Sequence, residues 1–118
     1  MSMIVNKADY LCDKSLKDLL MISLNVVLKA RPGHKEALYK ALCEIGEYVN
    51  QNEPNTIGFY VSQDTADPLN FITYERFIDQ KAMDEHNNSA YRVKWGEKYD
   101  YLFDKQVKSY VCREIHIK

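Results

Sequence analysis

From residue 21 onward the chain switches between two hydrophobic periods. The run MISLNVVLKA, residues 21–30, places Leu24, Val26, Leu28 and Ala30 on one face and Ser23, Asn25, Val27 and Lys29 on the other, the two-residue alternation of a strand. Arg31-Pro32-Gly33 interrupts it with two residues that break a ladder. Over residues 34–52, Ala37, Leu38, Ala41, Leu42, Ile45 and Val49 recur at helical spacing, and Lys35, Glu36, Lys40, Glu44 and Glu47 mostly fall elsewhere, so an amphipathic helix is predicted. Glu53-Pro54-Asn55 ends it, because proline disfavours helix in the residue before it. Residues 56–63 and 69–77 read as strands joined by a turn at 64–68 rich in Asp and Pro, hence a hairpin. Asp79 can cap a short helix running through His86, and Ser89 a further one carrying Tyr91, Trp95, Tyr99, Leu102 and Phe103. Residues 106–117 read as the last strand.

The predicted order is βαββαβ with an added helical segment before the final strand, which is the ferredoxin-like α+β arrangement built on a four-stranded antiparallel sheet. Helices cover one sheet face. In the third strand Ile72 and Tyr74 alternate with Phe71 and Phe77, so both faces carry large side chains, and the uncovered face needs a partner. A homodimer through that open face follows as an expectation. Residues 1–20 are expected to form an extension and residues 21–118 the domain. Ser15-Leu16-Lys17-Asp18 has the form of a capping box, and the extension reads equally as a fold-back arm or as disorder.

Composition changes this picture little. Sixteen basic residues against seventeen acidic ones give a net charge of −1, without the basic excess a nucleic-acid partner would need. No apolar run approaches the ~20 residues of a membrane span. Charged residues interrupt the first twenty positions too often for a secretion signal, so a cytoplasmic protein is expected. Cys12, Cys43 and Cys112 are odd in number and widely spaced, which suits free thiols better than disulfides or zinc. His34, His86 and His116 show no metal-ligand spacing, and four glycines build no phosphate loop. Nine tyrosines suggest an aromatic-lined surface or pocket.

Three segments resemble one known family. Lys29-Ala30-Arg31-Pro32-Gly33-His34-Lys35-Glu36 is similar to the strand-to-helix turn of the antibiotic biosynthesis monooxygenase family, and Glu53-Pro54-Asn55-Thr56-Ile57 to its second turn, with Asn55 where the family usually has glycine. The strongest likeness is Tyr74-Glu75-Arg76-Phe77-Ile78-Asp79-Gln80-Lys81-Ala82-Met83-Asp84-Glu85-His86-Asn87-Asn88-Ser89, in which Phe77 stands where tryptophan is usual. Order and spacing across residues 21–115 carry the resemblance. It implies a homodimeric α/β barrel with a pocket between sheet and helices. It also implies oxidation of a small quinol- or anthrone-like aromatic by molecular oxygen with no cofactor. Relatives include haem-degrading enzymes and members without known activity. A non-catalytic dimeric ligand-binding or stress-response module is therefore the alternative, with haem breakdown behind it. In the haem-degrading relatives a histidine after the second helix ligates iron, where this chain has Tyr91, Lys94 and Trp95.

Oxygen reacts slowly with closed-shell molecules and faster with a phenolate or carbanion, which can give up one electron. A mostly apolar pocket with one or two polar groups that remove a proton would suffice. His86 is the first candidate, since an ordinary pKa of ~6.5 suits proton transfer. It could equally order the helix end by bonding Glu75 or a backbone carbonyl. Glu75 shares a strand face with Phe71, Thr73 and Phe77, and a buried carboxylate needs a partner. Arg76 points to the other face, so His86 is preferred, with Glu75 orienting it. Thr73 and Phe77 would line the pocket, with plain core packing as the alternative for Phe77. Asn25 is a candidate substrate contact on the strength of the resemblance, against plain hydrogen bonding within the sheet. Tyr91, Trp95 and Tyr99 could form a lid, with Trp95 shaping the pocket, or could pack against the sheet.

Overall fold

A computed structural model describes residues 21–117. The expected capping box at 15–18 and the extension to which it belongs lie outside the described residues. The order is β1 (Ile22–Lys29), α1 (Lys35–Asn52), β2 (Thr56–Gln63), β3 (Asn70–Phe77), α2 (Gln80–Asn88), α3 (Ala90–Tyr99), a 3₁₀ turn (Asp100–Leu102) and β4 (Lys108–Arg113). The strands form one antiparallel sheet in the order β2-β3-β1-β4. This is the ferredoxin-like α+β fold that the periodicity predicts.

Local chemistry explains the boundaries. Gly33 takes a positive φ of 85°, a conformation open to glycine, and so turns β1 into α1. The buried stripe of α1 is Leu38, Ala41, Leu42, Ile45 and Val49, the helical face read from the sequence. In the β2–β3 hairpin, Asp64 accepts a bond from the Ala66 backbone N–H and Asp67 one from Leu69. Asp79 caps α2 by accepting from Ala82 N–H at 2.8 Å, and Ser89 caps α3 by accepting from Arg92 N–H at 3.1 Å. Two elements stop earlier than expected. The α-helix after Ser89 ends at Tyr99 and tightens into the 3₁₀ turn before Phe103. Strand pairing in β4 ends at Arg113 opposite Ile22, the first residue of β1, because its only neighbour runs out there.

Sheet register divides the strands into two faces. Ile22, Leu24, Val26 and Leu28 of β1 lie opposite Phe77, Glu75, Thr73 and Phe71 of β3 on the face toward the helices. The core beneath the helices falls into two clusters. One joins Leu28, Leu38, Leu42, Ile45, Phe71, Trp95 and Leu102; the other joins Ile22, Leu24, Phe77, Ala82 and Met83. Half-buried Val26 touches both. The opposite face carries Asn25, Tyr74, Tyr60 and Tyr110 in register, with the Tyr60 and Tyr74 rings stacked at 5.9 Å. There Arg76 pairs bidentately with Glu114, and the Tyr74 hydroxyl donates to the same carboxylate. Tyr60, Tyr74 and Tyr110 are exposed.

Trp95 and its two tyrosines contact α1. Tyr91 stacks on Tyr48 with ring centroids 3.6 Å apart, the buried Trp95 Nε1–H donates to the Ala41 carbonyl at 2.8 Å, and the Tyr99 hydroxyl donates to Glu44. Among the described residues no helix is long and apolar enough to cross a membrane.

Candidate active site

The seam between the two core clusters holds polar side chains in place of apolar ones. Strand alternation turns Thr73 and Glu75 inward beside Val26 and Leu24, and both are buried. Thr73 Oγ1 donates to Glu75 Oε2 at 2.7 Å. His86, on the last turn of α2, is buried above them, its ring 5.5 Å from Phe77 and 5.9 Å from Phe59. Its Nδ1 lies 2.7 Å from Glu53 Oε1 and its Nε2 lies 3.2 Å from Glu75 Oε1. Thr56 Oγ1 in turn donates to Glu53 Oε1 at 2.8 Å. The result is a continuous polar array, Thr56–Glu53–His86–Glu75–Thr73, threaded through an apolar interior.

A histidine between two carboxylates is fully satisfied only as the imidazolium, in which both ring nitrogens donate. Burial pushes the His86 pKa down, but the adjoining Glu75 and then Glu53 more than offset it, and the net shift is upward from the ordinary 6.5. If His86 loses a proton and keeps Nδ1–H on Glu53, the Nε2 lone pair faces Glu75 Oε1 across 3.2 Å. Glu75 Oε1 is buried, and the Nε2 contact is at ion-pair distance but outside hydrogen-bond alignment. The oxygen therefore has no hydrogen-bond partner among the described residues. A buried carboxylate oxygen with spare accepting capacity can take one further hydrogen-bond donor.

That oxygen's side chain borders a cavity of about 220 Å³. Leu24, Val26 and Leu28 form its floor, Leu42 and Ile45 enter from α1, and Phe59, Trp95 and Phe103 supply aromatic walls. Its polar lining is Thr73, Glu75, His86, Asn87 and Arg92. A second, outer recess is lined by Tyr48, Glu53, Thr56 and the other side of His86. Glu53 is thus the solvent-side member of the array, its side chain 15% exposed against 3% for His86.

Of the residues singled out from sequence, His86, Glu75, Thr73 and Trp95 meet at this cavity. Phe77 is fully buried behind the His86 ring and does not border it. Asn25 lies on the opposite sheet face between Tyr74 and Tyr110, its amide 3.9 Å from Cys112 Sγ. Sequence reasoning missed Glu53, Asn87 and Arg92. Glu53 served there to mark a helix end and to open the second turn of the resemblance, not as a partner of His86. Arg92 was readable, since a residue three positions before Trp95 shares its helix face, and the guanidinium indeed sits 5.6 Å from the Trp95 ring centroid. Among the described residues no group of three or more His, Cys, Asp or Glu is arranged to hold a metal ion.

Comparison with known proteins agrees with the fold. A family model described as antibiotic biosynthesis monooxygenase matches residues 21–98. A Nitrosomonas europaea protein described as a putative antibiotic biosynthesis monooxygenase superimposes with a TM-score of 0.74 at 21% identity, over 80% of this chain and 89% of that one. A Caulobacter crescentus protein with the same description gives 0.79 at 16% identity, over 87% and 97%. A Pseudomonas aeruginosa protein gives 0.72 at 23% identity, over 80% and 94%. At these identities the likeness is one of fold. No curated protein matches the chain.

Proposed function

Because the chain belongs to the antibiotic biosynthesis monooxygenase family, we propose that it oxidises a small quinol- or anthrone-like aromatic with molecular oxygen, without metal or flavin. The observation that carries this reading is the buried Glu53–His86–Glu75 array in the wall of a mostly apolar cavity. Chemistry on an aromatic pronucleophile requires removal of one proton and protection of the anion from water, and those two features supply both.

In the proposed reaction the array works in the form in which His86 has lost its Nε2 proton: Glu75 Oε1 receives a proton from the substrate, and His86 Nε2 shares it. Glu53 holds the Nδ1 proton, so that the bare nitrogen faces Glu75, and acts by positioning the ring. The substrate anion gives one electron to oxygen, and the resulting radical and superoxide join through a new C–O bond. The stored proton returns to the peroxide. O–O cleavage with loss of the second C–H proton then yields a carbonyl and water. For an anthrone-like methylene the balance is CH2 + O2 → C=O + H2O, with no external reductant. Thr73 fixes the Glu75 carboxylate, Trp95 walls the cavity, and Phe77 backs the imidazole.

We further propose a homodimer through the open sheet face, on the support of the exposed, aligned Tyr60, Tyr74 and Tyr110. Asn25 then belongs to the dimer surface and not to the cavity. Oxygen consumption by the purified protein with a panel of quinols and anthrones tests the activity. Uptake above the autoxidation blank, unchanged by chelator, is expected. No uptake above the blank with any of them would overturn it and leave a small-ligand-binding module.

A further inference from the structure

We propose that the cavity is built for an anionic aromatic ligand, a hydroxyarene that also carries a carboxylate, with Arg92 as the carboxylate's partner. The inference rests on this cavity being the ligand site of the proposed reaction, and it narrows the substrate class. Three charge-bearing groups border the cavity: Glu75, His86 and Arg92. Glu75 and His86 already hold each other, at 3.2 Å. Arg92 has no hydrogen bond or ion pair from its guanidinium among the described residues.

Two contacts describe where that guanidinium lies. It lies over the face of Trp95, 5.6 Å from the ring centroid, a cation–π geometry. It also occupies the space left by Gly96, where an added Cβ would sit 2.9 Å from Nη1. The absence of a side chain at Gly96 lets the guanidinium lie close against α3. Its planar fork matches a carboxylate bidentately, which a lysine at the same point would not.

Placement of the two polar ends follows from the fold. Glu75 rises from the sheet, whereas Arg92 descends from α3, so a flat ring between them presents its hydroxyl to the carboxylate side and its anionic oxygen to the helix. Phe59, Trp95 and Phe103 offer the ring apolar walls. A volume of about 220 Å³ lies below the roughly 300–1,000 Å³ of drug-sized sites and suits one or two rings.

Calorimetric titration of the full chain at pH 7.5 with 6-hydroxy-2-naphthoate and with 2-naphthol tests this. The naphthoate should bind about tenfold more tightly or better. Arg92→Gln should bring the two probes within about threefold of each other by weakening the acid alone. Gly96→Ala, which strengthens the helix while displacing the guanidinium, should reduce the preference without any loss of folding, as followed by circular dichroism. Equal affinity for both probes in the wild type, a preference that survives Arg92→Gln, or binding of neither probe would each overturn the proposal. Oxygen uptake with neutral quinols is measured independently, so the fate of the proposed activity is read separately.

Discussion

Glu53→Gln isolates the charge on the solvent side of the array. The glutamine carbonyl can still accept from His86 Nδ1–H and from Thr56 Oγ1, so shape and bond count are kept and the charge alone is lost. A hydrogen bond to a charged group contributes roughly 1.5–3 kcal/mol and a neutral one roughly 0.5–1.5, so the variant should lose about 1 kcal/mol. For a domain of this size that corresponds to a fall in Tm of about 4 °C. The pH dependence carries the sharper test. Glu75 and Glu53 raise the His86 pKa in the folded state above its ordinary value near 6.5. The stabilisation from the protonated ring is therefore complete below about pH 6.5 and disappears as pH rises through the raised folded value. The wild-type advantage over Glu53→Gln should be widest near pH 6 and shrink toward pH 9. Thermal denaturation across that range, with the His86 ring followed by NMR titration, reads both quantities. Equal stability of the two proteins, or a gap independent of pH from 6 to 9, would refute the charged array.

Other consequences are independent of that one. His86→Ala leaves the buried Glu75 and the mostly buried Glu53 without their shared cation and should cost about 3–5 kcal/mol in chemical denaturation; a loss under 1 kcal/mol would mean the ring bears little of the array. Phe77→Ala empties a fully buried site beside the imidazole and should cost about 3–5 kcal/mol in the same experiment. Tyr74→Asp places a charge in the middle of the open sheet face and next to the Glu114 carboxylate. Light scattering should then fall from about twice the 13.8 kDa chain mass toward the single-chain value, and a wild-type protein already monomeric would remove the dimer from the account.

The sequence reveals those parts of the site that obey a local period. Two-residue alternation in β3 put Phe71, Thr73, Glu75 and Phe77 on one face, and the same parity sent Asn25 and Arg76 to the other, where Arg76 meets Glu114. His86 could be paired with Glu75 because burial of a lone carboxylate is costly and α2 returns over the sheet. Glu53 could not be found this way. It is 33 residues from His86 in the chain, and beside Pro54 it signals only the end of a helix. The partner of Trp95 was also hidden, since helical spacing shows that Tyr91, Trp95 and Tyr99 share a face but not whether α1 or the sheet receives it. The last strand was read too long because alternation continues to Ile117, whereas pairing depends on where β1 begins.

Oxygen-18 tracing distinguishes oxygen incorporation at this cavity from autoxidation. The purified protein is incubated under 18O2 with the quinol or anthrone that supports the fastest uptake, beside a parallel reaction of His86→Ala, and the product is weighed by mass spectrometry after a short reaction. One atom of 18O is expected in the new carbonyl, with its rate of appearance at least tenfold lower in the variant. An unlabelled product, or labelling that proceeds equally fast without the imidazole, would contradict it.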